Sequence, residues 1–573
     1  MILSLIFDSL KRFTPAQFYF TIYNKIAKKV YRKIFIPKYT LLKSSEIVSY
    51  QKTSLKLKNE FPVNIYNTQK YQCYYHQYYL KLLDVKLNAN NLQFAWNDFS
   101  DFEINNNYHR FHLFDINNNI FIDNSINEII NLWIRNHPNI KAEPWSGFNT
   151  AMRTYNWLKL LAKNQENIAA NDWFKIQSSL YIQAKHILNN IEHHIPGNHV
   201  LLQYFALWLI LHFFPDWQLS IKNKSKIKNK LINEIKAEFL KCGFHFEQSY
   251  HYHIQITLMS LYVLEILKKQ NSEIDYYILG VIKNAIKIAE KFQFADGHLP
   301  MLGDNCFNFF NPTLFEDIEQ IKKIAIEVFG EEEDEEKKDI KLYKDQYIVV
   351  ENNNSKLIFD IGPIGLYENP GHGHSDISSF IYSSQGITLF IDPGTKNYSS
   401  LEDDKQLKRS ILHNTLSVDG EDQAKLWGFF RWAYLPKNNK YNFSNNDEFI
   451  SLENEYEGFY SIGKIVHKRT LIIYNNKLII NDLVVGKGEH KLLFTFILNP
   501  QIKVIEDADR LILSAGEKNW EMKSKNCTGN FIIDNQFYYP SYGVGVATKR
   551  ITFEINLVNL PFQNEIMIKF IEA

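Results

Sequence analysis

The segment Glu331-Glu332-Glu333-Asp334-Glu335-Glu336-Lys337-Lys338 divides the chain into two parts with different hydrophobic periods. A block of like charges is typical of a solvated linker or loop, because the carboxylates repel one another. Before this block, apolar residues recur every three or four positions, and after it they recur every second position. These are the periods of helices and of strands. The segment therefore predicts an all-α part followed by an all-β part, with the boundary near residues 335–345.

The part before the charged block shows helical periodicity from about residue 125 to 330. Its first segment, Ile126–Ile134, has an apolar stripe, and Pro138 prevents the helix from continuing. Five more segments show the same spacing: Asn171–Ile191, His199–Phe213, Ile221–Lys241, His253–Lys269 and Tyr276–Phe292. Short connections that contain Pro or Gly join successive helices, which predicts helical hairpins stacked into a bundle or toroid.

The part after the charged block consists of short segments of period two, separated by turn residues such as Asn475-Asn476. The strand candidates are Tyr347–Val350, Lys356–Asp360, Ser378–Ser383, Thr388–Ile391, Thr415–Val418, Thr470–Asn475, Lys477–Asn481, Lys491–Leu498 and Arg510–Ser514. Many short strands without intervening helices predict an antiparallel sandwich. The predicted organisation is a helical or irregular lead-in over residues 1–120, a helical domain over 121–340 and a β-sandwich over 345–573.

The composition narrows the classes of protein to consider. A chain of 573 residues exceeds what one hydrophobic core usually serves, so we expect two or more domains. The formal net charge of +1 offers no general electrostatic attraction for nucleic acid. Aromatic residues make up 15%, which suits stacking on sugar rings but is explained more simply by biased composition. The cysteines lack CxxC spacing and are predicted to be buried thiols: Cys73, Cys242, Cys306 and Cys527.

We recognise no signal peptide or transmembrane segment in the sequence. Asp8 interrupts the apolar stretch Met1–Phe7, and no small-residue cleavage site follows it. The longest apolar run, Leu201–Phe214, is too short to span a bilayer. Residues Pro15–Lys33 predict a packed amphipathic helix with a solvated basic face, and contact with a membrane surface is the alternative. The sequence by itself favours a cytoplasmic location.

The β part contains a cluster of residues with metal-binding and proton-transfer chemistry. Gly371-His372-Gly373-His374-Ser375-Asp376 is followed by Asp392-Pro393-Gly394 and His413-Asn414-Thr415. His374, Asp392 and His413 form a set of two imidazoles and one carboxylate that suits zinc. We expect the glycines to let the two histidine rings diverge, so that one faces a metal and the other a cleft. The alternative is a group of polar loop residues that satisfy strand ends.

The helical part offers three weaker candidates. Asn198 precedes an apolar helix and is predicted to cap it, with His199 in its first turn. The segment Phe246–His253 opens the next long helix with Glu247 and several Tyr and His residues, which supply acid and base groups. The third candidate, Asn149 with Arg153, offers an anion-binding arginine, although a single arginine on a helix is more often part of a surface ion pair.

Taken together, these motifs resemble the heparinase II/III-like polysaccharide lyases, a group that includes related alginate and oligoalginate lyases. The resemblance also includes Asp296-Gly297-His298-Leu299-Pro300 and spans residues 140–425. It implies an incomplete α/α toroid joined to an antiparallel β-sandwich. It further implies cleavage of a uronate-containing polysaccharide or oligosaccharide by β-elimination. Some relatives belong to surface-polysaccharide gene clusters, which suggests processing of a surface glycan in the cell envelope or periplasm.

The resemblance also implies catalytic roles. Asn198 and His199 match the positions that neutralise the uronate carboxylate. Tyr252 matches the family tyrosine and is assigned as the acid, or as both acid and base in a syn elimination, with His372 as the other proton-transfer group. The family usually has proline after the serine of this motif, whereas this chain has Tyr250, so Tyr250 and Tyr252 are rival assignments. Spacing from Ser249 favours Tyr252.

The remaining assignments concern the substrate and the metal. Substrate-binding residues are predicted to be Arg153, Asn149 and Glu247. The positions His374, Asp392 and His413 match the metal-binding positions of the family, and we expect a structural zinc ion that holds the β loops against the helical cleft. Calcium, which some relatives bind, is disfavoured by the two histidines.

Two other functions compete with the lyase. The first is a non-catalytic glycan-binding or assembly protein that keeps the same scaffold. The second is a glycoside hydrolase, which needs two opposed carboxylates. Glu247 with Asp296 or Asp304 are the available candidates, but no spacing rule supports them.

Overall fold

The computed structural model describes residues 126–571, apart from short gaps at 139, 141, 164–167, 196, 306–309, 311–312, 332–338, 399–405 and 526–528. It also describes scattered positions within 11–22 and 106–111. Most of the lead-in over 1–120, of the basic helix Pro15–Lys33 and of the charged block therefore lies outside the described residues. The same holds for Cys73, Cys306 and Cys527, whereas Cys242 is a free thiol.

A series of α-helices forms the first part of the described chain. They are α1 (Ile126–Asn136), α2 (Gly147–Lys163), α3 (Ala170–Asn189), α4 (Asn198–Phe213), α5 (Gln218–Glu238), α6 (Tyr250–Lys269), α7 (Tyr276–Lys291) and α8 (Leu314–Phe329). Helix α2 packs on α3 and α4, α4 packs on α5, and α6 packs on α7 and α8. The helices therefore follow one another in space largely as they do along the chain.

The pattern of apolar residues explains where individual helices lie. Helix α4 is buried on every side, and each of its residues except His199 is buried, as expected for a helix that is apolar all round. Helix α5 instead buries a stripe that includes Ile227, Leu231 and Ile235, spaced four residues apart, and keeps its lysines on the outside. None of the described helices is long and apolar enough to cross a membrane.

The second part of the chain consists of antiparallel strands. They are β1 (Ile340–Tyr343), β2 (Tyr347–Glu351), β3 (Ser355–Asp360), β4 (Phe380–Ser384), β5 (Ile387–Phe390), β6 (Leu416–Val418), β7 (Lys425–Gly428), β8 (Arg431–Ala433), β9 (Lys437–Asn445), β10 (Ile450–Gly458), β11 (Ile465–Ile473), β12 (Lys477–Val485), β13 (Glu489–Ile497), β14 (Lys503–Asp507), β15 (Arg510–Ala515), β16 (Lys518–Ser524), β17 (Asn530–Ser541), β18 (Val544–Asn559) and β19 (Phe562–Ile571). The predicted order of helices first and antiparallel strands second is confirmed.

These strands form several sheets. Strands β1 to β5 make one sheet in sequence order, and β17-β18-β13-β6 make a second. A bridge between Phe390, at the end of β5, and Leu498, just past the end of β13, connects these two sheets. The largest sheet has the order β14-β15-β16-β19-β12-β11-β10-β9, and β7 pairs with β8 in a separate hairpin. The larger sheets thus pack against one another around a shared hydrophobic core.

The β1–β5 sheet is the layer between two hydrophobic cores. Alternate side chains of β2 point to opposite faces, so that Tyr347 and Val349 join the core of the helices, and Ile348 and Val350 join the core of the sandwich. Strand β3 is consequently buried along its whole length, whereas β11 in the outer sheet alternates buried and half-buried residues. The division into domains at 121–340 and 345–573 stays a prediction, because this sheet contributes to both cores.

Candidate active site

The candidate site lies where the N-terminus of α6 meets two loops. Ser249 caps α6 by accepting a hydrogen bond from the backbone N–H of Tyr252, and its hydroxyl donates to the carbonyl of Asp304 at 2.7 Å. The backbone N–H of Asp304 in turn donates to the carbonyl of His372 at 3.0 Å. These backbone contacts hold the start of a helix, the loop after α7 and the glycine-histidine loop together.

Asp304 is the centre of the polar network. Its Oδ2 accepts hydrogen bonds from His372 Nδ1 at 2.9 Å and from Lys408 Nζ at 2.8 Å. Its Oδ1 accepts from His374 Nε2 at 3.0 Å and from Thr395 Oγ1 at 3.1 Å. Burial would raise the pKa of the Asp304 carboxyl, but Lys408 and the two histidines outweigh it and hold that pKa well below its usual range. Asp304 is therefore a carboxylate that orients both histidines.

His372 presents one ring nitrogen to the cleft. Since Asp304 is ionised, His372 Nδ1 donates to it, and Nε2 is left with its lone pair. This Nε2 lies 3.9 Å from Glu247 Oε2, and the ring centroid lies 4.8 Å from that of Tyr252. The side chain of His372 is 20% exposed, whereas those of His374 and Asp304 are completely buried. His372 thus has the orientation and access of a proton-transfer group.

Tyr252 and Tyr250 face in different directions, because residues two apart on a helix lie on roughly opposite sides. The Tyr252 hydroxyl lies 3.0 Å from the hydroxyl of Tyr398, which donates to the carbonyl of Asn305 at 2.6 Å. Tyr250 is completely buried and donates to the carbonyl of Ala289 at 2.7 Å. Burial raises the pKa of Tyr250 above its ordinary value. The geometry therefore favours Tyr252 over Tyr250 as the tyrosine of the site.

Asn198 and Glu247 form a buried pair beside His372. The cap of α4 is Gly197, so the expectation that Asn198 caps this helix is wrong: it is the first helical residue, and its side chain makes no capping bond. Its Nδ2 instead donates to Glu247 Oε2 at 2.8 Å, and no described group donates to its Oδ1. Burial raises the pKa of Glu247, while His372 and His199 oppose that shift. The pair therefore offers an amide and an acid that retains its proton readily.

His199 lies at the more open side of this pair. Its Nδ1 is 2.9 Å from Glu192 Oε2, and its ring stacks on Phe148 with centroids 4.3 Å apart. The side chain is 38% exposed. His199 is therefore oriented by an acid on one side and an aromatic ring on the other.

The structure does not bring Arg153 and Asn149 to this cluster. Arg153 is completely buried, with its guanidinium 3.9 Å from the ring centroid of Trp133 and a hydrogen bond to the carbonyl of Pro144. Asn149 is also buried and accepts a hydrogen bond from Arg110 Nε at 2.7 Å. Both side chains are used within the helical core. The alternative of a surface ion pair for Arg153 is wrong, because the side chain has no exposed surface.

His374, Asp392 and His413 converge as expected, with one ligand atom of each lying within 4.8 Å of the others. All three are buried. Because His374 Nε2 donates to Asp304, its Nδ1 has a free lone pair, and this buried atom has no partner among the described residues. His413 Nε2 donates to the carbonyl of Leu407 at 3.1 Å, which leaves Nδ1, 2.9 Å from Asp392 Oδ2, to face the same point. The set therefore fits a divalent metal ion.

Gly373 has a different role from the one expected. Its φ of −77° is open to any residue, so the divergence of the two histidines does not need glycine's conformational freedom. A Cβ at this position would lie 2.6 Å from the backbone N of Gly365, whereas a Cβ on Gly371 would meet nothing closer than 3.4 Å. Gly373 is thus required by the close approach of another backbone segment.

The residues that sequence patterns did not identify are mostly those that support the site. Lys408 and Tyr398 belong to no recognised motif. The sequence suggests Asp304 only as a carboxylate of a glycoside hydrolase. Asp304 is saturated by its four donors, and Asp296 accepts from Thr388 Oγ1 and its backbone N–H. Neither carboxylate is therefore free to oppose Glu247, and the geometry does not favour a hydrolase.

Comparisons with known proteins agree with this fold. Residues 130–323 match the family model described as heparinase II/III N-terminus, and residues 338–565 match the model described as heparinase II/III-like, C-terminal. No curated protein sequence matches significantly. Together the two family models account for most of the chain.

Several solved structures have the same fold at low sequence identity. A crystal structure of heparinase III is 16% identical, with a TM-score of 0.66, and the match covers 97% of this chain and 92% of that chain. A mutant of the heparan sulfate lyase HepC from Pedobacter heparinus is 16% identical, with a TM-score of 0.60 and coverage of 91% and 87%. These matches confirm the predicted fold, an α/α toroid followed by an antiparallel β-sandwich.

Proposed function

The chain belongs to the heparinase II/III-like family and is a polysaccharide lyase, and we propose that it cleaves a uronate-containing acidic glycan by β-elimination. The observation that supports this reaction is the convergence of Asn198, Glu247, Tyr252 and His372, with His372 oriented by Asp304. A surface polysaccharide is the proposed source of the substrate. The reaction needs three actions from these side chains: neutralising a carboxylate, removing a proton and protonating a leaving oxygen.

The first action concerns the carboxylate of the uronate. The C5 proton becomes acidic enough to remove only when the charge that develops on the adjacent carboxylate is stabilised. Asn198 Nδ2 can donate a second hydrogen, and His199 is accessible on the same side. Glu247 has a pKa raised by burial and so shares a proton with an incoming carboxylate more readily than an exposed acid does. These three residues are the proposed carboxylate-binding group.

The second and third actions are proton transfers. His372 Nε2 has a free lone pair because Asp304 holds the proton on Nδ1, so His372 is suited to receive a proton. The Tyr398 hydroxyl donates to Asn305, so it accepts from the Tyr252 hydroxyl. Tyr252 is therefore protonated, as an acid must be, and its hydroxyl would turn from Tyr398 to give its proton to the leaving O4. We assign Tyr252 as the acid, or as acid and base in a syn elimination, with His372 as the other group.

We further propose that His374, Asp392 and His413 bind a structural zinc ion. Two imidazoles and a carboxylate are common zinc ligands, and calcium prefers a shell of oxygen atoms. All three ligands are buried and come from three separate loops of the β part. A metal at this point would fix the loop that contains His372 relative to the loop before β6.

Incubation with a panel of uronate polysaccharides tests the function. β-Elimination creates a C4–C5 double bond, so the products should absorb in the ultraviolet and should not contain an added water molecule when weighed by mass spectrometry. Saturated products that contain added water would instead identify a hydrolase. Binding without any product would identify a glycan-binding protein on the same scaffold. Either result would overturn the proposed reaction.

A further inference from the structure

The hairpin β7–β8 places two phenylalanines beside the proton-transfer groups. Phe429 and Phe430 form the two-residue tip between β7 and β8, and the hairpin is separate from the larger sheets. The Phe430 ring centroid lies 5.4 Å from that of His372 and 5.3 Å from that of Tyr398. The hairpin tip is thus in direct contact with the cleft.

The two rings differ in what surrounds them. Phe429 is buried and lies 4.7 Å from Lys408 Nζ, close enough to cover the ammonium that neutralises Asp304. Phe430 also lies over Lys408, at 5.4 Å, but its side chain is 43% exposed. Phe429 therefore covers Lys408 from a buried position, and Phe430 presents a large apolar surface to the cleft.

We propose that Phe430 is a sugar-binding platform that stacks on the pyranose ring next to the reacting uronate. Pyranose rings have apolar C–H faces and polar hydroxyl edges, so an exposed aromatic ring binds the face and leaves the hydroxyls in water. The uronate must lie where its C5 proton reaches His372 Nε2. Phe430 is adjacent to His372 but has no proton-transfer group. In this proposal it therefore contacts the sugar next to the uronate rather than the uronate itself. This inference rests on the proposed function, since it takes the substrate to be a glycan chain.

The position of the platform is set by the glycine-histidine loop. A Cβ built on Gly371 would lie 3.4 Å from the Cβ of Phe430, so the two backbones are near contact. Lys408 Nζ also donates to the carbonyl of Gly371 at 2.8 Å. The aromatic ring and the proton-transfer histidine are therefore held by the same short segment, which keeps the two neighbouring sugar sites in register.

The test compares Phe430→Ala with Phe443→Ala. Phe443 is 41% exposed, nearly the same as Phe430, but lies on the edge strand β9. On a uronate glycan that the wild type cleaves, we expect Phe430→Ala to raise KM about 3- to 10-fold with little change in kcat, because stacking binds the ground state and the transition state alike. Phe430→Trp should restore KM, and Phe443→Ala should behave like the wild type.

Two results would overturn the platform while leaving the lyase intact. An unchanged KM in Phe430→Ala would show that the ring binds no sugar. A lower kcat with a shifted pH profile would show that Phe430 acts through Lys408 and Asp304, the effect that we expect of Phe429→Ala. Absence of unsaturated product from the wild type across the panel would overturn the proposed function, and this inference with it.

Discussion

His372 and His374 are two residues apart and bind the same carboxylate, but they face different environments. His372 contacts Asp304 Oδ2 and is 20% exposed at the cleft, whereas His374 contacts Oδ1 and is buried. The nitrogen that each leaves free is also different: Nε2 in His372 and Nδ1 in His374. In the proposed division of roles, identical side chains differ only in the oxygen of Asp304 that each ring contacts and in the space beyond the ring.

This difference between the two histidines depends on the ionised carboxylate of Asp304, whose negative charge is balanced by a neighbouring lysine. Asp304 accepts four hydrogen bonds from side chains, and Lys408 supplies the balancing positive charge. Because the carboxylate stays ionised, each histidine donates to it, and in the neutral ring the opposite nitrogen keeps its lone pair. One side of Asp304 is therefore suited to proton transfer and the other to metal binding.

Removing the shared charge should have the largest effect. Asp304→Asn would leave the buried Lys408 unpaired, and breaking a buried ion pair costs about 3–5 kcal/mol. Asparagine would also supply only one acceptor oxygen for the two histidines. We expect a loss of unfolding free energy of about this size in urea titration, together with loss of turnover.

Asp296→Asn is the matched control for this change. Asp296 is an exposed carboxylate in a loop near the same helices, and it accepts hydrogen bonds from Thr388 and Gln501. We expect its effect on stability to be smaller, about 1 kcal/mol. Equal losses of unfolding free energy in the two variants would show that the contacts of Asp304 with the two histidines and Lys408 do not stabilise the fold more than an exposed carboxylate does.

Tyr252→Phe and Tyr250→Phe should separate chemistry from packing on the catalytic side. Tyr252→Phe removes the proposed acid, and we expect turnover to fall by about 10²- to 10⁴-fold. Tyr250→Phe removes a buried hydrogen bond to Ala289 and should cost about 1 kcal/mol of stability with turnover retained. Initial rates and urea unfolding of both variants check this pair. Full activity in Tyr252→Phe would remove this tyrosine from the reaction.

The two glycines of the loop, Gly371 and Gly373, should differ in how much stability is lost when each is replaced by alanine. A Cβ at Gly373 would be 2.6 Å from Gly365 N, and we expect Gly373→Ala to cost about 1–3 kcal/mol. A Cβ at Gly371 has ordinary contacts, so Gly371→Ala should change stability by less than about 0.5 kcal/mol. The midpoint of urea unfolding measures both. The reverse order would mean that the loop is held differently.

The smallest expected effect concerns the pH dependence of stability at Glu247. Burial raises the pKa of this acid above 4.5, so its favourable contribution is complete below the unfolded pKa and is lost as pH rises through the folded one. Glu247→Gln stays neutral and lacks this loss. We therefore expect the stability of the wild type relative to Glu247→Gln to fall as the pH rises above the ordinary pKa of a glutamic acid side chain. A rise over this range would show that Glu247 is ionised in the folded protein.

Sequence patterns predict the order of helices and strands, because that order depends on short-range spacing, and residue chemistry together with the family resemblance predicts the convergence of His374, Asp392 and His413. Helix α2 lies within the region of predicted helices but shows no clear apolar stripe in the sequence, since its buried side chains include the polar Asn149, Thr150, Arg153 and Thr154. The apolar series of strand β10 is interrupted for a related reason, because its buried face includes the polar Asn454. Local periodicity fails where a buried face is polar.

The support of the site could not be predicted from spacing. Asp304 and Lys408 are 104 residues apart, and neither lies in a recognisable motif. Their pairing depends on how the loop after α7 packs against the turn before β6. Spacing from Ser249 favours Tyr252 over Tyr250. That the two side chains face different directions follows only from the helix that begins at Tyr250.

The most direct test of the two-sided site measures metal content and turnover together in His372→Ala and His374→Ala. We expect His372→Ala to keep the wild-type amount of metal and to lose turnover by about 10²-fold or more. His374→Ala should lose the metal, because it removes one of three ligands. Loss of metal from both variants, or wild-type turnover in His372→Ala, would contradict the assignment of separate tasks to the two histidines.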